Sequence, residues 1–314
     1  MYFSIKKLTH VVFIGYAQYF NDLIKVNKSL NLKTTVFSNR SKDYLVESYR
    51  FKKINKDFLD KVKKKAQIKN TVFVSLFNDY VFKKEEIKKL HNQVINFHNT
   101  RLPFHKGRGV ISWEILSNDR IHNVTIHMVD EKIDGGAVIF QRSSLLNKNL
   151  TITKEIFEYD EVLTKKYYKE FIIKLLKKEK FKKNFSLMNV GNYNYSLKTL
   201  KHGFIDWSNN SRNLFYFINA FDDPYEGAST YNNKYKGKLF LKKVQLHHGE
   251  LKMHPFSSGM VVRNDKKCIV VNTKDNSSLI IEEVLNTKGK NVVSEIKSGS
   301  KFFVPTKYLN YYKK

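Results

Sequence analysis

The sequence predicts an α/β fold, with a Rossmann-like, mostly parallel sheet first and a small β-rich domain of the OB type after it. In the first half, short apolar runs alternate with helical patterns, which is typical of a helix-covered parallel sheet. Near the end, five short strand-like runs are separated by Gly, Asn and Asp turns, which is typical of a small barrel or sandwich. The 314 residues, 41% of them hydrophobic, suffice for two domains at a prior of roughly 150 residues each.

Each predicted element follows from its local pattern. Continuous apolar runs of five to eight residues predict buried strands, and apolar residues spaced three or four apart predict helices. The predicted strands of the first part are residues 10–15, 33–39, 71–76, 94–98, 124–129 and 137–142. The predicted helices are residues 17–30, 56–67, 83–92, 108–117, one or two within 152–183, and 210–221. The later strand-like runs are KLFLKKVQL, GMVVRN, CIVVNT, SLIIEEVL and KFFVP.

A change in composition divides the chain. The stretch NFSLMNVGNYNYS has little periodicity and predicts a linker at residues 184–203. We therefore expect a catalytic domain at residues 1–183 and an OB-like domain at residues 204–314.

Composition limits the classes of protein to consider. The single cysteine, Cys268, excludes a disulfide framework and a cysteine-based zinc site, and no metal is expected. No apolar run reaches about 18 residues, so we expect no membrane span and a cytoplasmic protein. The formal net charge of +28 favours anionic partners, although a lysine-rich genome composition explains most of it.

The densest chemical signal lies in residues 94–142. Asn96 and His98 are two apart on a predicted strand, so both side chains share one face at its carboxyl end. In open α/β sheets this edge is where ligands bind. Asp134 precedes Gly135-Gly136 on a predicted tight loop, where backbone can approach a ligand closely.

These three residue types suit acyl transfer to an amine. An amide N–H can donate to a developing oxyanion, an imidazole can move a proton near neutral pH, and a carboxylate can orient that imidazole. Each also has an ordinary structural role, because Asp-Gly-Gly is commonly only a turn. Composition and periodicity alone leave the function open.

Residues 94–142 resemble the core of the folate-dependent formyltransferases, most closely the nucleotide-sugar N-formyltransferases. The matching motifs are Asn96-Phe97-His98, Leu102-Pro103 with Gly107, and Asp134-Gly135-Gly136. The resemblance implies that Asn96 is the oxyanion donor, His98 the proton-transfer residue and Asp134 its electrostatic partner and proton relay. It implies N10-formyltetrahydrofolate as the formyl donor.

The resemblance also implies contacts to the folate and a second domain. By spacing, the residues expected at the folate are Tyr80, Phe82, Val129, Asp130, Ile133 and Gly135. Phe82 could equally be a core residue. The segments Ile205-Asp206-Trp207 and Pro224-Tyr225 resemble the smaller domain that follows the core in methionyl-tRNA and some sugar formyltransferases. A homodimer is expected by the same resemblance.

The acceptor amine stays open between two substrates. A nucleotide-linked amino sugar destined for surface polysaccharide is favoured, because the segment 38–54 is short and has no glycine. Methionyl-tRNA formyltransferases carry a long, basic, glycine-rich insertion there, so initiator tRNA is the alternative.

A second alternative is a non-enzymatic single-stranded nucleic-acid binder, in which Tyr231, Tyr235 and Phe240 of the OB-like domain would stack on bases. Nucleic acid is otherwise not expected as a partner.

Overall fold

The computed structural model describes residues 1–40, 43–185, 190–250, 253–275 and 277–309. The chain folds into two compact units. The N-terminal unit comprises residues 1–107, 121–145 and 159–194, and the C-terminal unit comprises residues 108–120, 146–158 and 195–314. Four residues of the predicted linker, 186–189, lie outside the described residues. The linear domain boundaries expected from the sequence stay a prediction.

The described residues form short strands and eight α-helices. The strands are β1 (Tyr2–Phe3), β2 (His10–Gly15), β3 (Lys33–Ser38), β4 (Ser48–Arg50), β5 (Thr71–Leu76), β6 (Val94–His98), β7 (His105–Gly107), β8 (Ile121–Met128), β9 (Val138–Leu145), β10 (Phe181–Lys182), β11 (Asn192–Asn194), β12 (Ala228–Asn232), β13 (Tyr235–His247), β14 (Val261–Asn264), β15 (Ile269–Asn272), β16 (Ser278–Asn286) and β17 (Phe302–Phe303). The helices are α1 (Phe20–Ser29), α2 (Lys56–Lys63), α3 (Lys84–Lys89), α4 (Val110–Leu116), α5 (Thr153–Leu176), α6 (Thr199–His202), α7 (Ser211–Ala220) and α8 (Thr306–Leu309).

A seven-stranded sheet, in the order β4-β3-β2-β5-β6-β8-β9, forms the centre of the N-terminal unit. The first five strands in this order run parallel to one another, and β8 and β9 are antiparallel additions beside β6. The mostly parallel sheet expected from the sequence is therefore confirmed. Since β2 to β6 are parallel, their carboxyl ends meet at one edge, and His98 ends β6 at that edge.

Both faces of this sheet are covered, which explains the continuous apolar runs. All six residues of β2 are buried. Val11 and Phe13 belong to one hydrophobic cluster, with Phe20 of α1 and Tyr168 of α5. The alternate residues Val12 and Ile14 belong to another, with side chains of α2 and α3. A strand with two apolar faces is typical of a parallel sheet under helices.

The C-terminal unit contains a six-stranded antiparallel sheet in the order β14-β15-β16-β13-β12-β17. A bridge between Met260 and Lys301 joins its two ends, where Val261 N–H donates to Ser300 O at 2.8 Å. This curled antiparallel sheet agrees with the expected small β-rich domain. Helix α7 packs against it through buried Leu214 and Ile218.

Several predicted boundaries differ from the structure. The predicted strand 124–129 begins earlier, at Ile121. The segment 152–183, predicted as one or two helices, contains one long helix that ends at Leu176. Strands β4, β7, β11 and β12 were not predicted, because none is longer than five residues or alternates clearly. No helix in the part of the chain that the structure describes has the length and apolarity to cross a bilayer.

Candidate functional site

The candidate site begins with two side chains at the end of β6. Asn96 and His98 project from the same face because side chains alternate along a strand. On the antiparallel neighbour β8, His127 lies opposite Asn96 and Thr125 lies opposite His98. Side chains directly opposite one another in such a pair are close enough to interact. The sheet therefore brings Asn96 and His127 together although 31 positions separate them.

Asp134 reaches the same place from the loop after β8. Its Oδ1 lies 3.7 Å from His98 Nδ1 and 3.5 Å from His127 Nε2, and its Oδ2 accepts a 2.8 Å hydrogen bond from Gly107 N–H. Asp134 has a left-handed φ of 48°, which aspartate tolerates better than most residues. The three residues predicted as catalytic thus lie together within one unit.

The glycines after Asp134 serve the loop itself. A Cβ at Gly136 would lie 1.7 Å from Met128 O, so only glycine lets the loop close on the end of its own strand. The sequence predicts a close approach of this backbone to a ligand. The close approach at Gly136 is instead to backbone, which holds Asp134 beside β8.

The partners of His98 identify the atom that is able to accept a proton. His98 Nε2 lies 2.8 Å from His105 O, and because a carbonyl only accepts, Nε2 carries the hydrogen. In the neutral ring Nδ1 then holds a lone pair, and it faces Asp134. Thr100 Oγ1 donates to the same carbonyl at 2.9 Å. Nδ1 is therefore the ring nitrogen able to accept a proton, next to a carboxylate that would stabilise the protonated ring.

His127, which the sequence analysis did not single out, orients Asn96. Its Nδ1 donates to Met128 O at 2.8 Å, so the neutral ring offers Nε2 as an acceptor. Asn96 Nδ2 donates to that atom at 3.1 Å. Because an amide nitrogen carries two hydrogens, one N–H of Asn96 stays available to a reacting oxygen. The pattern Thr125-x-His127 on β8 was the available signal, since it repeats the period-two spacing of Asn96 and His98.

Burial and charge set the protonation states. Burial lowers the pKa of His98, and the negative charge of Asp134 only partly opposes it, so the ring is neutral at neutral pH. Burial alone would raise the pKa of Asp134. The positive charge of His98 when that ring is protonated, then that of His127 when protonated, and the hydrogen bond from Gly107 N–H outweigh burial and lower that pKa well below its usual range. When both rings are neutral, the hydrogen bond from Gly107 N–H still favours the ionised carboxylate. The site therefore combines a neutral base with an ionised carboxylate.

The residues expected at the folate divide into two groups. Val129, Asp130, Ile133 and Gly135 lie with Asp134 on the loop between β8 and β9. Phe82 is buried in the cluster that also contains Phe73 of β5, so its side chain is a core residue. Tyr80 and Val129 are partly buried against that same cluster.

The aromatic residues proposed to stack on bases do not form an open platform. Phe240 is buried, and the Tyr231 ring packs on Phe303 and Tyr308 within the C-terminal unit. Tyr235 is half-buried at the start of β13. Rings that already pack on one another leave little face for a base. The described ranges also contain no group of three side chains suited to hold a metal ion.

Two family models match the chain, in order. The model described as formyl transferase matches residues 45–158, which include Asn96, His98 and Asp134. The model described as formyl transferase, C-terminal domain, matches residues 198–299. Together they cover more than half of the chain.

Curated relatives are similar over about two thirds of the chain. The bifunctional polymyxin resistance protein ArnA of Wigglesworthia glossinidia brevipalpis is 22% identical over 214 residues, 67% of this chain and 31% of that protein. The methionyl-tRNA formyltransferase of Prochlorococcus marinus (strain MIT 9515) is 29% identical over 216 residues, 63% of this chain and 62% of that protein. The matched region thus spans less than two thirds of either relative.

Solved structures of sugar formyltransferases share the fold. WlaRD, a sugar 3N-formyl transferase solved with dTDP and 5-N-formyl-THF, has a TM-score of 0.64 at 17% identity, covering 88% of this chain and 97% of that one. The N-formyltransferase of Helicobacter canadensis, solved with folinic acid and dTDP-3-aminofucose, has a TM-score of 0.61 at 18% identity, covering 88% and 99%. At such identities the likeness concerns the fold. With both domain models matched in sequence order, the chain belongs to the formyl transferase family.

Proposed function

We propose that the protein transfers a formyl group from N10-formyltetrahydrofolate to the amine of a nucleotide-linked amino sugar. The observation that carries this proposal is the convergence of Asn96, His98 and Asp134 at the carboxyl edge of the parallel sheet. An amide donor, a neutral imidazole and an ionised carboxylate are the groups that amine acylation needs.

His98 has the central role in this reaction. As the amine nitrogen bonds to the formyl carbon, His98 Nδ1 takes the proton that the amine loses. Asp134, 3.7 Å away, stabilises the resulting imidazolium. His98 then returns a proton to the folate nitrogen as the carbon–nitrogen bond to that nitrogen breaks. The hydrogen bond from Nε2 to His105 O keeps Nδ1 directed at the reacting atoms.

Asn96 stabilises the charge that develops on the formyl oxygen. Its second amide N–H is the donor, because the first is held by His127. A donor fixed before the reaction begins costs no reorganisation when the charge appears. His127 therefore acts through Asn96, as a positioning residue.

The folate is proposed to bind along the loop between β8 and β9. Val129, Asp130, Ile133 and Gly135 supply its backbone and side-chain contacts, and the backbone near Tyr80 and Phe82 supplies the opposite side. Ile133 is exposed beside Asp134, which suits contact with a flat apolar ring. No contact through the buried Phe82 side chain is proposed.

Three observations support a nucleotide-linked sugar as the acceptor. Solved neighbours of the same fold carry dTDP or dTDP-3-aminofucose. Only nine positions separate β3 from β4, and none of them is glycine. Two arginines follow strands of the carboxyl edge, Arg40 over the Tyr16 ring and Arg101 over the Phe104 ring, and neither forms an ion pair with another described residue. An unpaired guanidinium held on an aromatic ring suits a phosphate group.

Methionyl-tRNA is the second candidate acceptor. It is favoured by the curated relatives named methionyl-tRNA formyltransferase and by the net charge of +28, which suits phosphate contacts.

A substrate panel distinguishes the acceptors. The purified protein would be given N10-formyltetrahydrofolate with dTDP- and UDP-linked amino sugars, the same sugars without nucleotide, and charged initiator tRNA. The proposal expects formylation of at least one nucleotide-linked sugar, with slower reaction of the free sugar. Formylation of the tRNA alone would favour the second candidate, and transfer to no amine would contradict the function.

Three further proposals come from the family resemblance. The product would enter surface polysaccharide synthesis, the protein would act in the cytoplasm, and it would form a homodimer. Light scattering of the purified protein tests the dimer, since a monomeric mass at micromolar concentration would contradict it.

A further inference from the structure

A short strand from the predicted linker contacts the candidate site from outside the main sheet. Strand β11 pairs in parallel with β7, with Asn192 opposite His105 and Asn194 opposite Gly107. The main chain continues this contact, because Asn192 N–H donates to Phe104 O at 3.2 Å. The strand thus lies along the segment that follows β6 and His98.

The two strands touch through backbone, which glycine permits at both ends. Gly107 has a φ of 95°, and a Cβ there would lie 2.2 Å from Asn194 O. Gly191 has a φ of 98°, and a Cβ there would lie 1.8 Å from Pro103 O. Only glycine allows so close an approach at these angles. The position of β11 is therefore closely coupled to that of β7.

Strand β7 supplies the backbone partners of both ionisable residues of the site. His105 O accepts from His98 Nε2, and Gly107 N–H donates to Asp134 Oδ2, each at 2.8 Å. His105 and Gly107 are also the register partners of Asn192 and Asn194 in β11. A shift of β11 would move the partners of His98 and Asp134 together.

Tyr193 of β11 forms a hydrogen bond to the loop that carries Asp134. Its hydroxyl donates to Ile133 O at 2.8 Å, one residue before Asp134. Burial and the charges of Asp134 and Asp130 raise the pKa of this hydroxyl, so it keeps its proton at neutral pH. The bond holds the Ile133–Asp134 peptide at a point where the backbone is left-handed.

We propose that β11 is a positioning strand for the reaction, and that Tyr193 is a positioning residue that sets the distance between Asp134 and His98. This inference rests on the proposed roles of His98 and Asp134. Tyr193 touches neither side chain. Its hydroxyl fixes the loop from one side while β7 fixes the carboxylate from the other. Loss of the hydroxyl frees the loop, and the carboxylate spends less time facing Nδ1.

The test compares Tyr193→Phe with Tyr2→Phe, a matched control. Tyr2 lies in the same unit, is 62% exposed against 57% for Tyr193, and has no hydroxyl contact among the described residues. The first readout is the pKa of His98, measured by an NMR pH titration of the protein with ring-labelled histidine. The His98 signal is assigned by its absence in His98→Gln. Since Asp134 raises this pKa, the inference expects a lower value in Tyr193→Phe and no change in Tyr2→Phe.

The second readout is steady-state kinetics with the acceptor found by the panel. The expected result for Tyr193→Phe is a loss of roughly tenfold in kcat, with both KM values within about twofold and an unfolding midpoint equal to that of the control. An unchanged His98 pKa in Tyr193→Phe would overturn the inference. That result needs no substrate, so it is distinct from a failure of the proposed function. Loss of stability without a change in the His98 pKa would also overturn it.

Discussion

The His98–Asp134 and His122–Asp160 pairs both lie in the N-terminal unit, and they differ in how completely each is hydrogen-bonded. In the first, His98 Nδ1 and Asp134 Oδ1 are 3.7 Å apart, with side chains 9% and 11% exposed. In the second, His122 Nε2 and Asp160 Oδ1 are 2.9 Å apart, with side chains 0% and 2% exposed. The first pair leaves room at Nδ1 for a transferred proton, whereas the second is a closed hydrogen bond.

The carboxylates respond to these surroundings in opposite directions. Burial raises the pKa of Asp160, although His122 and Thr164 bond to it. The pKa of Asp134 is lowered, because two histidines and a backbone N–H outweigh the effect of its burial. Asn99 Nδ2 donates to the other oxygen of Asp160, so both oxygens of this carboxylate accept a hydrogen bond. The proposed catalytic pair thus has no direct hydrogen bond between its side chains, whereas His122 and Asp160 are joined by one.

The largest expected effect is the difference in kcat between His98→Gln and His122→Gln. His98→Gln should lower kcat by about a thousandfold, because glutamine cannot take the proton of the amine. His122→Gln should leave kcat close to that of the wild type while lowering the urea midpoint of unfolding, since it disturbs a buried bond. Steady-state formyl transfer and urea unfolding measure the two effects. Equal losses of kcat in both variants would contradict the distinction.

The next effect concerns the oxyanion donor. Asn96→Ala should raise the activation free energy by about 3–4 kcal/mol, as expected for a sole side-chain oxyanion donor. The loss should appear in kcat with little change in the KM of the folate. A decrease below tenfold would mean that a backbone N–H or water stabilises the oxygen instead.

A change in the free energy of unfolding is expected when the His122–Asp160 pair is altered. Asp160→Asn should lower the free energy of unfolding by roughly 3 kcal/mol, because an amide nitrogen there would face a donor from His122 or from Asn99. Denaturant titration against wild type measures this change. A hundredfold drop in kcat at unchanged stability would instead assign Asp160 to the catalytic apparatus.

The smallest effect is in the pH dependence. The proposed reaction needs neutral His98, whose pKa burial lowers from its ordinary value of about 6.5. The acid limb of kcat, with both substrates saturating, should therefore lie below pH 6.5. In Asp134→Asn the limb should move lower still, because the charge that raises the His98 pKa is gone. A wild-type limb at or above pH 6.5 would contradict the neutral-base assignment.

Much of the site was predictable because it depends on strand periodicity. Asn96 and His98 share a face by their spacing alone, and the Asp-Gly-Gly pattern marked the loop of Asp134. His127 was missed although it repeats that spacing on the next strand. The hydrogen bonds of His105 O, Gly107 N–H and the Tyr193 hydroxyl were not predictable. They depend on how backbone segments distant in sequence approach one another. Strands as short as β7 and β11 carry no pattern that reveals such pairing.

Residue type alone could not distinguish the His122–Asp160 pair from the His98–Asp134 pair. Both combine one histidine of β6 or β8 with one aspartate, and they differ in the distance between the side chains and in how deeply these are buried. That distance depends on where α5 and the loop after β8 lie against the sheet, which tertiary packing decides.

The most direct test follows a 13C-labelled formyl group from N10-formyltetrahydrofolate to the acceptor by NMR. With wild-type protein and with His122→Gln, we expect the signal of a formamide on the nucleotide-linked amino sugar to grow in at similar rates. With His98→Gln it should be absent over the same period. Formamide formation by His98→Gln at the wild-type rate would contradict the account.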